Sequence, residues 1–345
     1  MYVICAGMYR ACSTWQYEVI AHLLERHRGG VRLGYLTGDQ FEELDDREGD
    51  GGADAWKVLK SHEEHGRFAR VLAEGRAVAI YAHRDVRDVV FSLMHKRKVD
   101  FETLVRQGMI HQVLANDRFW SGRPRSIAQR YDRLVADPTT GVEELAAHLG
   151  LELRPGEAAE VAAEYSFQAN RQRAEELGRR LKKGGVDLDD PSIAQAHDRR
   201  TLLHWNHMRE GRVGDWRDRA TPRERVVLAR ICGPWLAAHG YEADDLGAIG
   251  STSGDRVGGL AEAARWELAM ARGRAACSLR CLSLRHPRLA RSIKPLLGIA
   301  PEAPLAPAAP IALPANVRVD TREAHAASHP IHGLPARDVA DRLAG

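Results

Sequence analysis

The chain has 345 residues, a formal net charge of +3, 44% hydrophobic and 28% charged residues, the balance of an ordinary globular protein. So small a positive excess gives no ground for a nucleic-acid partner, and five cysteines in this length do not make a disulfide framework. There is no C-x-x-C pair, no basic and apolar leader, and no run near the roughly 20 apolar residues that span a bilayer, so a cytoplasmic location is expected.

In chain order, a first apolar run, Tyr2–Ala6, meets Gly7 and leads into a helical pattern over Thr14–His27. Further strands are expected at Val31–Leu36, Trp56–Leu59, Ala77–Ala82 and Ile127–Tyr131. Helices are expected at His65–Glu74, Val86–Lys96, Phe101–Phe119, Thr140–Leu149 and Glu157–Tyr165. This alternation predicts an α/β domain, a parallel sheet flanked by helices. The stretch RQRAEELGRRLKKGG reads as a charged helix stopping at Gly184-Gly185, and 186–198 as an exposed loop. Thr221, Pro222 and Gly240 start and stop another helix. The composition then divides the chain into a domain at 1–245, a Gly/Ser-rich linker at 246–259, a basic helical segment at 260–298 and a flexible Pro/Ala-rich tail at 299–345. The basic segment suits weak contact with an anionic membrane or a protein, or packing against the domain by its Leu/Ala side.

The first strand-to-helix turn resembles a nucleotide-binding loop, G-x-x-x-x-G-K-[ST], at its ends only. Gly7 and Thr14 fit, but Cys12 stands for the second glycine and Ser13 for the lysine. Backbone N–H groups at such a turn form an anion site; a plain Gly- and Ser-bearing turn has the same look. Lacking the lysine, and an aspartate placed for Mg²⁺, the loop is poorly furnished for ATP or GTP hydrolysis. Asp85 and Asp88 read as cap and dipole partners of a helix start.

Further stretches add to it: VLKSHEEH with Lys60 and His62, IYAHRDVRDVVFSLMHKR with Arg84 and Ser92, RYDRL with Tyr131, YSF with Phe167, and HMREGRVGDW. Together, from about residue 2 to about 240, these resemble the cytosolic-type sulfotransferases, which use 3′-phosphoadenosine 5′-phosphosulfate (PAPS). The resemblance implies a P-loop-like fold and places the family's 5′-phosphosulfate cradle on Arg10, Ala11, Cys12, Ser13, Thr14 and Trp15, with Trp15 on the adenine. It implies His62 as general base, with Lys60 and Arg10 serving oxygens that gain charge, and Arg84 and Ser92 on the 3′-phosphate. Tyr131 and Phe167 match adenine-side rings, and Arg209, Glu210 and Gly211 match a further 3′-phosphate signature in which Glu210 replaces a lysine. PAPS would be the co-substrate and adenosine 3′,5′-bisphosphate the product, with no metal. The acceptor would be a small molecule with a hydroxyl or amine, met by variable loops at 36–55, 94–125 and 184–206.

Two other functions share these residues: a P-loop kinase-like transferase, and a nucleotide-binding module weakened at Cys12 and Glu210. His83 and His95 could lend charge beside the 3′-phosphate helix, His204 and His207 could share a helix face, and Trp120 and Trp205 could line the acceptor pocket or belong to the core. The sequence leaves the acceptor and the oligomeric state open.

Overall fold

Two apolar runs are buried at every position: β1, Tyr2–Gly7, and β4, Ala77–His83. Strands covered on both faces belong in the middle of a parallel sheet. In the computed structural model, which describes residues 1–48, 55–190, 193, 196–206, 208, 210–242, 256–285 and 317–319, they are adjacent. Partially exposed β2 (Val31–Tyr35) and β5 (Ser126–Arg130) form the edges and β3 (Lys57–Ser61) completes the parallel order β2-β3-β1-β4-β5. The expected α/β fold, a parallel sheet flanked by helices, is the one observed.

Alternation along β1 feeds two cores. Val3 and Cys5 join helix α1 (Ser13–Arg28) through Val19, Ile20, Leu23 and Leu24, with α8 (Pro138–His148) and α9 (Glu157–Glu164) behind it. Ile4 and Ala6 face the opposite layer. There lie α2 (Gly38–Glu48), α3 (Gly66–Ala73), α4 (Val86–Arg97), α5 (Phe101–Arg106), α6 (Met109–Trp120) and α12 (Pro222–Ala238). The remaining elements are α7 (Tyr131–Ala136), α10 (Phe167–Lys183), β6 (Ala196–Asp198), α11 (Trp216–Arg219), α13 (Arg256–Arg285) and β7 (Val317–Val319). Thr221 caps α12 and Pro222 opens it, as the sequence predicts, and Glu224 completes a reciprocal capping box with Thr221.

Several expectations need correction. The acidic stretch at 36–55 is not simply a loop: α2 forms within it because Phe41 and Leu44 share a buried face and Thr37 and Gln40 cap each other's backbone N–H. Its acids are neutralised locally, since Asp45 accepts from both Arg67 and Arg76. The helix expected at Phe101–Phe119 is broken at Gly108, which has φ 70°, a left-handed conformation that suits glycine. Tyr131 opens a helix rather than closing a strand. The 186–198 stretch is not fully exposed: Val186, Ile193 and Ala196 pack with Leu177 and Leu181 in a small separate core. Trp120 is core, packed against Phe68 and Phe119. Trp205 donates to the Ile193 carbonyl and lies beside the small core. Helix α13 starts at Arg256, inside the expected linker, and packs on α5 and α6 by Ala269, Met270 and Cys277. Within the expected tail, β7 pairs antiparallel with β6.

Asp117 of α6 joins two layers: it accepts from the Tyr81 hydroxyl of β4 at 2.8 Å and the Trp235 indole of α12 at 2.7 Å. Replacing it strands two buried donors, so Asp117→Ala should cost about 2–4 kcal/mol. A urea midpoint within error of wild type would refute that role.

Candidate functional site

In open parallel sheets, ligands bind outside the carboxyl ends of the strands, where neighbouring chain crossings diverge. Here that point lies between β1 and β4. The strand register puts Gly7 opposite Ala82, Ala6 opposite Ser61, and His83 opposite Arg130. One rim therefore carries the 8–13 loop, Lys60 and His62, Arg84, and Tyr131. Met8 N–H donates to the Ala82 carbonyl at 2.8 Å, anchoring the loop to β4.

The loop turns tightly. A Cβ at Gly7 would meet Ser13 Cβ at 2.6 Å, so glycine is required for the chain to return. Arg10 and Cys12 both adopt left-handed backbone, φ 62° and 69°, at a cost of roughly 1–2 kcal/mol each. Cys12 is the N-cap of α1 without a side-chain cap bond, the position where the resembled signature has glycine. Burial pushes its thiol up to about 11, against the weaker pull of Arg84 and Arg10, so it stays protonated and is no nucleophile at neutral pH. Ala11, Ser13 and Thr14 are buried behind it, and Trp15 packs toward Gly141 of α8.

Two groups of polar side chains flank the loop. On one side, Lys60 Nζ donates to Thr14 Oγ1 at 2.7 Å, and His62 Nδ1 donates to the Gly7 carbonyl at 2.7 Å. Because a carbonyl only accepts, Nδ1 carries the hydrogen, and the neutral ring has its lone pair on Nε2. Tyr9 and Tyr35 lie against the ring, with centroids 4.8 and 6.1 Å away. On the other side, Arg10 Nε donates to Ser92 Oγ at 2.9 Å. Arg10 is thus bonded to Ser92, the residue that the resemblance places on the 3′-phosphate.

Arg84 is the centre of this second group. Its Nη atoms donate to the carbonyls of Arg10 (3.3 Å) and Arg212 (2.7 Å), and it stands 4.2 Å above the Tyr131 ring. Arg84 also pairs with Asp88 one turn on, at 3.3 Å, but the group is buried and reaches well past that partner. Asp88 also accepts from the N–H groups of Gly214 and Trp216, clamping the 212–216 turn over the start of α4, while Asp85 caps that helix. Tyr131 donates to the Gly211 carbonyl at 3.0 Å, and a Cβ at Gly211 would strike Phe167 at 2.8 Å. Burial raises the Tyr131 hydroxyl to about 12. Glu210 is exposed, 3.9 Å from Arg212. Arg209 and His207 lie outside the described residues. Tyr9, Tyr35 and Asp88 had no part in the sequence-based site; only the fold brings them to it.

The side chains at this rim suit a polyanion. Arg10, Lys60 and Arg84 supply charge, three hydroxyls join them, and Arg84 Nε is a buried donor with no hydrogen bond among the described residues. Among those residues, Asp39, Glu42 and His65 are spaced as metal ligands. His65 Nδ1, however, accepts from the Arg67 N–H, so Nε2 carries the hydrogen and points it at the two carboxylates, 3.6 and 3.8 Å away.

The sulfotransferase-domain family model matches residues 53–240, more than half of the chain. The chain belongs to the sulfotransferase family. The match assigns it sulfotransferase chemistry and begins after the opening loop. No curated protein matches the sequence. The structure is similar to a mouse sulfotransferase complexed with PAP, at 15% identity and TM-score 0.49, covering 72% of this chain and 87% of that one. It is similar also to retinol dehydratase in a complex with retinol and PAP, at 15% identity and TM-score 0.49, covering 68% and 81%. No helix among the described residues is long and apolar enough to cross a membrane.

Two outcomes test this geometry. Cys12→Gly should melt above wild type and Cys12→Val below it by about 1–2 kcal/mol, because a β-branched residue tolerates left-handed backbone least; a valine variant as stable as wild type contradicts the strain. The second concerns His83, which does not lend the charge expected of it. Burial, and next the neighbouring His239, pull it from 6.5 to about 4. Above pH 6.5 both folded and unfolded states are neutral there. As pH falls from 6.5 to 4 the unfolded chain takes up a proton that the folded chain refuses, removing about 3 kcal/mol of stability. His83→Gln should flatten that limb in urea titrations, and an unchanged slope would count against the assignment.

Proposed function

We propose that the chain moves the sulfuryl group of PAPS to a hydroxyl, or an amine, of a small organic acceptor, with His62 as general base. The observation that carries this reading is the division of the rim: Lys60, Thr14 and His62 on one side of a left-handed, lysine-free loop, and Arg10, Ser92 and Arg84 on the other. A carrier with one anionic group at its 5′ end and another at its 3′ end matches both sides, whereas a nucleoside triphosphate leaves the Arg84 side unmatched. PAPS supplies a sulfur already activated by its link to phosphate.

The residues here would do the rest. The cradle at Arg10, Ala11, Cys12, Ser13, Thr14 and Trp15 orients the 5′ end. Arg84, Ser92 and Arg10 hold the 3′-phosphate; the family resemblance adds Arg209 and Gly211 to that group, with Glu210 weakening the grip. Tyr131 and Phe167 enclose the base. Lys60 stabilises oxygens that gain charge, electrostatic work that pre-oriented cations perform with little reorganisation. His62, its hydrogen fixed on Nδ1, can accept the acceptor's proton at Nε2. The sulfuryl group carries less negative charge than a terminal phosphoryl, so side-chain cations suffice in this reading and no metal is invoked.

Incubation of the purified chain with radiolabelled donor and a panel of phenols, sterols and glycosides, with and without EDTA, tests it. Label should move to an acceptor in both conditions. His62→Ala should lower the rate by about 10²–10⁴-fold while donor binding in calorimetry persists. Full activity in His62→Ala would overturn the base assignment. Binding of adenosine 3′,5′-bisphosphate with no transfer would favour a weakened module, and heat with Mg²⁺-ATP alone a kinase-like transferase.

A further inference from the structure

Helix α13 lies beyond the residues that the family model matches, yet it is joined closely to the site's layer. At its crossing with the α5–α6 corner two glycines meet: a Cβ at Gly273 would come 2.2 Å from the Val105 carbonyl oxygen, and one at Gly108 2.2 Å from that of Gly273. No side chain fits there, so the backbones touch. Arg280 adds a bond to the Gln107 carbonyl that ends α5, and Arg223 of α12 pairs with Glu262.

From this docked face a chain of polar groups runs to His62. Cys277 Sγ lies 3.9 Å from Gln112 Oε1, Gln112 Nε2 donates to Asn116 Oδ1 at 2.8 Å, and Asn116 Nδ2 donates to the His62 carbonyl at 2.7 Å. Gln112 and Asn116 are buried and one turn apart on α6. The direction of the chain follows from its far end. The His62 carbonyl only accepts, so Asn116 turns its NH₂ to it and its oxygen to Gln112. Gln112 must then offer its own NH₂, which leaves its oxygen toward the Cys277 thiol, a weak donor at 3.9 Å whose sulfur lies equally close to Cys281 Sγ.

We propose that α13 is a positioning element of the transfer site: through Cys277, Gln112 and Asn116 it fixes where the end of β3 carries His62. The inference rests on His62 being the base only for its effect on rate; its effect on the ring's surroundings stands apart. Helix α13 makes no contact with substrate in this scheme. It removes freedom from the backbone that bears the imidazole, and misplacing a reacting group by an ångström costs about 10²-fold.

The test uses the full chain with ¹⁵N-labelled histidine rings, His62→Ala identifying the His62 signals, and hydrogen exchange reporting whether α13 is docked. In Gly273→Val and Asn116→Ala the His62 ring signals should shift, and kcat should fall about 10- to 100-fold with the donor KM within about twofold. Cys277→Ser, which keeps a donor for Gln112, should behave as wild type, while Cys277→Val should lose part of the rate. Unchanged His62 signals and kcat in a Gly273→Val chain whose α13 has undocked would overturn the proposal. If that variant does not fold, equal behaviour of Cys277→Ser and Cys277→Val does so instead. Shifted ring signals with full activity in His62→Ala would sink the base assignment and leave the positioning role standing.

Discussion

The rim is organised around the close approach at Gly7. With no side chain there, Ser13 packs back against the strand end, and the carbonyl is left to receive the His62 ring. Its neighbour Met8 bonds to the next strand. Three strand ends and the start of α1 are therefore fixed relative to one another by the backbone of two residues.

The left-handed residues that follow oppose stability locally, and the structure offsets them by neighbours that cannot easily relax. Arg10 is held at both its carbonyl and its guanidinium, by Arg84 and Ser92. Asp88 fixes the opposing turn through two backbone N–H groups. The rim is thus tied down on its Arg10, Ser92 and Arg84 side, while the His62 side is bordered by Tyr9 and Tyr35, which only the tertiary fold brings there.

The central strands β1 and β4 were legible because buried parallel strands read as unbroken apolar runs. The partly exposed edges β2 and β5 were legible by shorter apolar stretches, and all five strands ended within a residue or two of expectation. The parallel α/β architecture and the sulfotransferase family followed from that pattern and from motifs lying in order along the chain. What escaped had physical causes. The acids of α2 outnumber the two apolar residues that fold it, so the stretch reads as solvent-facing although Thr37 and Gln40 mark its start. At the Gly108 break α13 lies against the chain through Gly273, a contact more than a hundred residues away in sequence. The bond from Lys60 to Thr14, and the path from Cys277 to His62, likewise join segments whose pairing no local pattern encodes. His83 looked like a cation by its place beside Arg84, but enclosure by Trp235, His239 and Tyr241 keeps it neutral.

Arg84 addresses two carbonyls, a carboxylate and an aromatic face with one flat group. A primary ammonium has the same sign but neither the plane that lies over a ring nor the fork that serves divergent oxygens. Lysine at this position would keep the electrostatics and lose the architecture. That corner of the molecule is built on the outline of its cation, and simple conservation of charge is too coarse a rule for reading it.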